Sequence, residues 1–106
     1  MRLPDDAIIP REKLTDYLLL PQRKNDKSGF LAQVGFTQEN PELLEQAIRR
    51  LITQNEAMVD RQNEYGIFYR VRGDLYGPTG ILATVTVWIQ LTNDNYYRFV
   101  TLKPAR

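Results

Sequence analysis

Ile81-Leu82-Ala83-Thr84-Val85-Thr86-Val87-Trp88-Ile89-Gln90-Leu91 decides the fold. Ile81, Ala83, Val85, Val87, Ile89 and Leu91 fall on every second position, with Leu82, Thr84, Thr86, Trp88 and Gln90 between them. A period of two with β-branched enrichment is the pattern of a strand. The first set is wholly aliphatic and is predicted to face the core. The second carries hydroxyls, an indole and an amide, and is predicted to form the open working surface.

Upstream, Ile67, Tyr69, Val71 and Leu75 alternate with Phe68, Arg70, Arg72 and Asp74. Tyr76-Gly77-Pro78-Thr79-Gly80 then marks a reversal, because Gly accepts positive φ and Pro presets φ. Downstream, Thr92-Asn93-Asp94-Asn95 is a second polar turn, and Tyr96 to Leu102 is a third strand. Val100 and Leu102 are predicted inward and Thr101 outward, with Pro104 ending the ladder. The result is an antiparallel meander of three strands, or four if a short edge strand joins.

Helical patterns precede the sheet. Pro10 opens a first helix over roughly Arg11 to Leu20, with Leu14, Tyr17 and Leu18 at helical spacing, the Leu18-Leu19-Leu20 run in the core and Pro21 as the stop. Lys27-Ser28 opens a short second helix carrying Phe30, Leu31 and Val34, closed by Gly35 in a left-handed cap. Asn40-Pro41-Glu42 starts a third, running to about Asn55 with Leu43, Leu44, Ala47, Ile48, Leu51 and Ile52 as its apolar stripe. Ala7-Ile8-Ile9 reads as a short edge strand or core cover, and Ala57 to Val59 as an extended link. The fold class is therefore α+β: three N-terminal helices packed on one face of a C-terminal meander.

Composition bounds the function. At 106 residues the chain is expected to be a single domain, residues 1–106. Such a chain buries roughly 65% of its unfolded surface, enough for a core without staples. With neither cysteine nor histidine it lacks thiolate and imidazole metal ligands and the commonest general base, so no metal and no cofactor is expected. A net charge of +1 excludes a strongly basic nucleic-acid binder but leaves room for a local patch. With no apolar run near the ~20 residues of a membrane span and no leader-like stretch, the expected location is the cytoplasm.

Two constellations carry chemistry. Arg70 and Arg72 share one side of a strand, and Thr86 and Trp88 are predicted beside them, with Thr101 or Arg98 on the third strand and Lys27 from the loop. Cations and hydroxyls on one face suit a phosphate, and an aromatic suits a base. Lys27, Arg70, Arg72 and Thr101 are the predicted catalytic contacts; Trp88, Thr86 and Arg98 are the predicted substrate contacts. Arg23-Lys24-Asn25-Asp26-Lys27-Ser28 is a second basic stretch ahead of a helix, with Asp26 or Ser28 as its cap. The plain alternative is a solvated sheet face with inert cross-strand pairs. Glu39, Glu42 and Glu45 are explained by the helix dipole. Tyr65, Phe68, Tyr69, Tyr76, Trp88, Tyr96, Tyr97 and Phe99 make the strands rich in aromatics, which points to a docking or homodimer surface.

Lys13-Leu14-Thr15-Asp16-Tyr17-Leu18-Leu19, Asn25-Asp26-Lys27-Ser28, Val34-Gly35-Phe36-Thr37, Glu39-Asn40-Pro41, Tyr65-Gly66, Leu75-Tyr76-Gly77-Pro78-Thr79-Gly80 and Phe99-Val100-Thr101-Leu102 span nearly the whole chain. Through them it resembles a family of small bacterial, notably cyanobacterial, proteins known as a domain of unknown function, also found in toxin-type proteins. Gly29 stands where many relatives carry a second basic residue. The order of helices then meander is also similar to compact ribonuclease toxins, at the level of fold. Together these imply a toxin-like, metal-independent domain acting on RNA, with a cognate antitoxin-like partner. The alternative is a non-enzymatic interaction or homodimerisation module.

Overall fold

Four strands form one antiparallel sheet in sequence order: β1 Ala57–Gln62, β2 Gly66–Gly77, β3 Gly80–Leu91 and β4 Tyr97–Pro104. This computed structural model describes residues 1–24 and 26–105. The segment predicted as an extended link is the fourth strand, and it lies on one edge.

The β2–β3 hairpin sets the register of everything else. Gly77 pairs with Gly80, leaving only Pro78 and Thr79 in the turn. The ladder therefore opposes Tyr69 to Trp88, Val71 to Thr86 and Leu75 to Leu82. Cross-strand partners point to the same face, so an inward Tyr69, Val71 and Leu75 carry Leu82, Thr86 and Trp88 inward with them. This reverses the predicted orientation of β3. Thr84, Thr86 and Trp88 are all fully buried, whereas Ile81 is 57% exposed on the other side. Burial is tolerable because each polar atom has a partner: Thr84 Oγ1 donates to Leu82 O at 3.0 Å, Thr86 Oγ1 to Val71 O at 3.1 Å, and Trp88 Nε1 to Thr86 Oγ1 at 2.8 Å. Trp88 meets Phe99 edge to face, with centroids 5.4 Å apart.

Three helical segments cover this face. α1 Arg11–Lys13 continues into a π-helical turn, Leu14–Leu18, marked by Leu19 N–H donating to Leu14 O at 2.9 Å. It is shorter than predicted, and Leu20 lies 41% exposed rather than in the core. α2 Ser28–Ala32 is followed by Gly35 at φ 95°, the left-handed position expected there. The Gly35 Cα faces the Pro78 ring at the hairpin tip, and Thr79 N–H donates to Val34 O at 3.0 Å. α3 Pro41–Gln54 buries Pro41, Leu44, Ala47, Ile48, Leu51 and Ile52. Leu43, predicted in its stripe, is 39% exposed. Asn40 does not cap α3 with its side chain. Its Oδ1 accepts from Thr37 N–H at 2.8 Å and its Nδ2 donates to Gly35 O at 3.1 Å, so it ties the connector together. Leu14, Leu18, Leu31, Phe36, Leu44, Ile48 and Leu51 from these segments meet Val71, Leu75, Trp88, Phe99 and Leu102 of the sheet in one core cluster.

The β4 ladder is interrupted. Thr101 opposes Val87 and Phe99 opposes Trp88, so Val100 is an extra residue in a bulge. Phe99 and Leu102 turn inward and Thr101 outward; the inward position predicted for Val100 is taken by Phe99. Ile8 runs parallel to β4, with its N–H donating to Tyr97 O at 2.7 Å and its carbonyl accepting from Phe99 N–H at 2.8 Å. No helix among the described residues is long and apolar enough to cross a membrane.

Candidate functional site

The face of the sheet turned away from the helices is an aliphatic floor between two charged flanks, with exposed Asp74 of β2 opposite Ala83 on the same side as the cations. Its middle is β3: Ile81, Ala83, Val85, Val87, Ile89 and Leu91. Phe68, Arg70 and Arg72 of β2 flank it on one side, opposite Ile89, Val87 and Val85. Arg98, Thr101 and Lys103 of β4 flank the same three residues on the other. One cross-strand row therefore reads Arg72, Val85, Lys103, and the next Arg70, Val87, Thr101.

The cations of this face differ in how they are held. Arg70 Nε lies 3.5 Å from Asp60 Oδ1. Arg98 Nη2 lies 2.8 Å from Asp94 Oδ2, and its buried Nε has no partner among the described residues. The guanidinium of Arg61 stacks on Phe68, 4.4 Å from the ring centre. Arg72 and Lys103 have no carboxylate within ion-pair distance among the described residues, and both are exposed. Between them a hollow of about 450 Å³ is lined by Arg70, Arg72, Val85, Lys103 and Pro104. It can hold an anionic group above an apolar floor.

A second feature lies along the β4 edge. Lys27 Nζ donates to Leu102 O at 2.6 Å and to Thr101 Oγ1 at 3.2 Å. Tyr17 OH is 3.2 Å from the same Thr101 Oγ1, and Lys13 Nζ donates to Val100 O at 3.4 Å. A cleft of about 680 Å³ opens here between the π-turn and β4, lined by Lys13, Asp16, Tyr17, Val100 and Thr101 among others. The π-turn widens the helix at Tyr17, and such turns recur at functional sites. An ammonium has three donors, so Lys27 has one N–H beyond its two acceptors among the described residues.

The predicted constellation is thus divided. Lys27 and Thr101 come together, at the edge. Arg70 and Arg72 stand on the same side of the sheet as Thr101, separated from it by β3. Trp88 and Thr86 are sealed beneath the helices and hydrogen-bonded to each other, so neither offers a surface to a substrate. Arg98 is on the open face but engaged by Asp94. Of the basic loop, Asn25 lies outside the described residues. Asp26 receives both the hydroxyl and the N–H of Ser28, which hold its carboxyl below the ordinary aspartate value.

A family model for a domain of unknown function, DUF6883, matches residues 2–106. The chain belongs to that family. No curated protein and no solved structure matches it. In this DUF6883 chain, the sequence stretches Val34 to Thr37 and Leu75 to Gly80 meet at the hairpin tip. Lys13 to Leu19, Lys27 and Phe99 to Leu102 meet along the β4 edge. Lys103 and Tyr17 were missed as site residues in the sequence. Lys103 was within reach, since it stands two positions from Thr101 and so shares its face. Tyr17 was not, because only the packing of the first helix brings it to β4.

Proposed function

We propose that this protein is a non-enzymatic interaction module that receives a protein on its open sheet face. The observation that carries this is the aliphatic row of β3 on the side away from the helices, where Ile81 is 57% exposed, Ala83 is exposed, Val87, Ile89 and Leu91 are half-buried, and only Val85 between them is buried. An uncovered contiguous apolar surface usually marks a partner. The docking surface expected from the aromatics is here aliphatic, because the aromatics Tyr69, Trp88 and Phe99 are in the core. We place the protein in the bacterial cytoplasm, following the resemblance. Panning phage-displayed random 12-residue peptides against it tests the proposal. Binders are expected, and Val87→Lys or Ile89→Lys should abolish them while Glu42→Lys on α3 should not. Binders indifferent to Val87 and Ile89 would sink it.

A second reading keeps one specific support. Lys27 and Tyr17 both lie in hydrogen-bond reach of Thr101, which lines an open cleft with Tyr17, and a Lys-centred, metal-free site for RNA cleavage is chemically feasible through charge stabilisation. Loss of the Trp88 platform weakens it. Induction in a bacterial host discriminates: growth arrest relieved by Lys27→Ala would favour a toxin-type ribonuclease, and harmless expression would favour the interaction module.

A further inference from the structure

Two exposed charges of opposite sign stand side by side on the open face with no ion-pair partner among the described residues. Arg72 and Asp74 lie two positions apart on β2, opposite Val85 and Ala83. Most other charges of this face are answered: Arg70 by Asp60, Arg98 by Asp94, and Glu56 by the amino group of Met1. The Arg61 guanidinium lies on Phe68. Lys103 belongs to β4, at the outer margin. A strand with a cation and an anion two positions apart on one face is its own complement. A half-turn about an axis crossing the strands between them sets each charge over its opposite. Here that axis runs over the Gly73–Thr84 pair. It lays β2 over β2 and β3 over β3 in opposite directions. Arg72 of each copy then meets Asp74 of the other, Val85 meets Ala83, and Val87 meets Ile81. Packed sheets stand about 10 Å apart, which a guanidinium and a carboxylate span from opposite sides. Their crossing angle of ~30° opens the margins, so Lys103 stays in water. An axis along the strands would instead set Arg72 over Val85 and Asp74 over Ala83, covering both charges without pairing them. At about 4.8 Å between strands and ~3.4 Å per residue, the four strands offer a flat area on the order of 600 Å² per copy, the lower end of what a stable pair needs.

We infer that the open face takes a second copy of this chain, stacked sheet on sheet about a two-fold axis that crosses the strands at Gly73, with Arg72 and Asp74 paired reciprocally. This rests on the proposed use of the sheet face for protein binding and names the partner. The complement that the face requires, an anion and a cation two positions apart beside an aliphatic strand, is present on the chain itself. Aliphatic contact supplies the burial, and the two symmetric ion pairs fix register and direction.

Light scattering on the wild type, Val87→Lys, Arg72→Asp and Asp74→Arg tests this. Arg72 and Asp74 are exposed, so their variants are expected to fold, which thermal melts verify. The expected result is a wild-type dimer that Val87→Lys disperses. Arg72→Asp and Asp74→Arg should each weaken it at least tenfold, because each leaves like charges opposed. An equimolar mixture of these two variants should regain a dimer, since each supplies the charge the other lacks. Peptide panning on immobilised copies is independent of dimer formation and keeps the two proposals apart. A monomeric wild type whose immobilised copies still select peptides through Val87 and Ile89 overturns the second copy in favour of a foreign protein and leaves the face intact. A dimer indifferent to Val87→Lys overturns it in favour of another surface. A dimer that needs Val87 but ignores both charge variants, or variants that stay apart when mixed, overturns the reciprocal pairing. A monomer that holds labelled single-stranded RNA and releases it on Arg72→Asp overturns both this inference and the proposal beneath it.

Discussion

Trp88 is where the residue scale decides most. Its indole fills the core against Phe99, and its N–H is answered by Thr86, whose own hydroxyl is answered by Val71. Trp88→Ala is expected to destabilise the fold by about 3–5 kcal/mol, measured by urea unfolding, because a large cavity stays behind. Thr86→Val keeps the volume but leaves the buried indole N–H unpaired, and is expected to cost about 1–3 kcal/mol. Equal stability of Thr86→Val and wild type would show that the indole finds another acceptor. Arg72→Glu, on the open side, should stay within about 0.5 kcal/mol of wild type. Residue types alone suggested the opposite assignment, since hydroxyls and an indole look wet beside Val and Ile. That Thr86 and Trp88 share a face was visible in the sequence; that such neighbours satisfy each other in a dry core is seen only in the hydrogen bond between them.

At the scale of elements, the hairpin turn is the controlling device. With two residues between Gly77 and Gly80, paired residue numbers have opposite parity, so odd positions of β2 face inward with even positions of β3. Both the alternation and the turn were in the sequence; the length of the turn was the missing quantity. The tip also admits little substitution. A Cβ on Gly77 would strike the Val34 carbonyl, and one on Gly35 would need an L side chain at φ 95° against Pro78. Gly35→Ala is expected to cost about 1–3 kcal/mol, and Gly77→Ala to loosen α2 from the hairpin, seen as faster amide exchange at Thr79. Unchanged exchange there would show that Val34 can retreat. Along β4, Lys13 and Lys27 answer the outward carbonyls of Val100 and Leu102, which blunts an edge that would otherwise invite pairing. Lys27→Ala should cost about 1–2 kcal/mol and raise the tendency to associate at high concentration, read by light scattering.

For the whole molecule, charge governs the pH response. Asp94 is held below the ordinary aspartate value by the Arg98 side chain and then by Tyr96 N–H, and Asp26 by Ser28. The folded state thus binds fewer protons than the unfolded state in acid, so stability is present above the ordinary carboxyl value and is lost as pH falls through and below it. Tyr97 moves the other way: burial raises its phenol, with Tyr69 adding to the shift. Its contribution is present below the ordinary tyrosine value and is lost as pH rises beyond it. Thermal melts should fall off at both extremes, and Asp94→Asn should flatten the acid limb; an unchanged limb would assign it to other carboxylates. The sequence by itself determined that β2, β3 and β4 are strands joined by tight turns, that α3 starts at Pro41, that Gly35 ends α2 in a left-handed turn, and that Arg70 and Arg72 share the open face. Only the tertiary structure decided which side of β3 is dry, that Val100 bulges, and that Lys27 and Tyr17 converge on Thr101. Alternation divides a strand into two sets without saying which is inside. That is settled by the turn that fixes register, by the helices that arrive on one side, and by whether each buried polar atom finds a partner there.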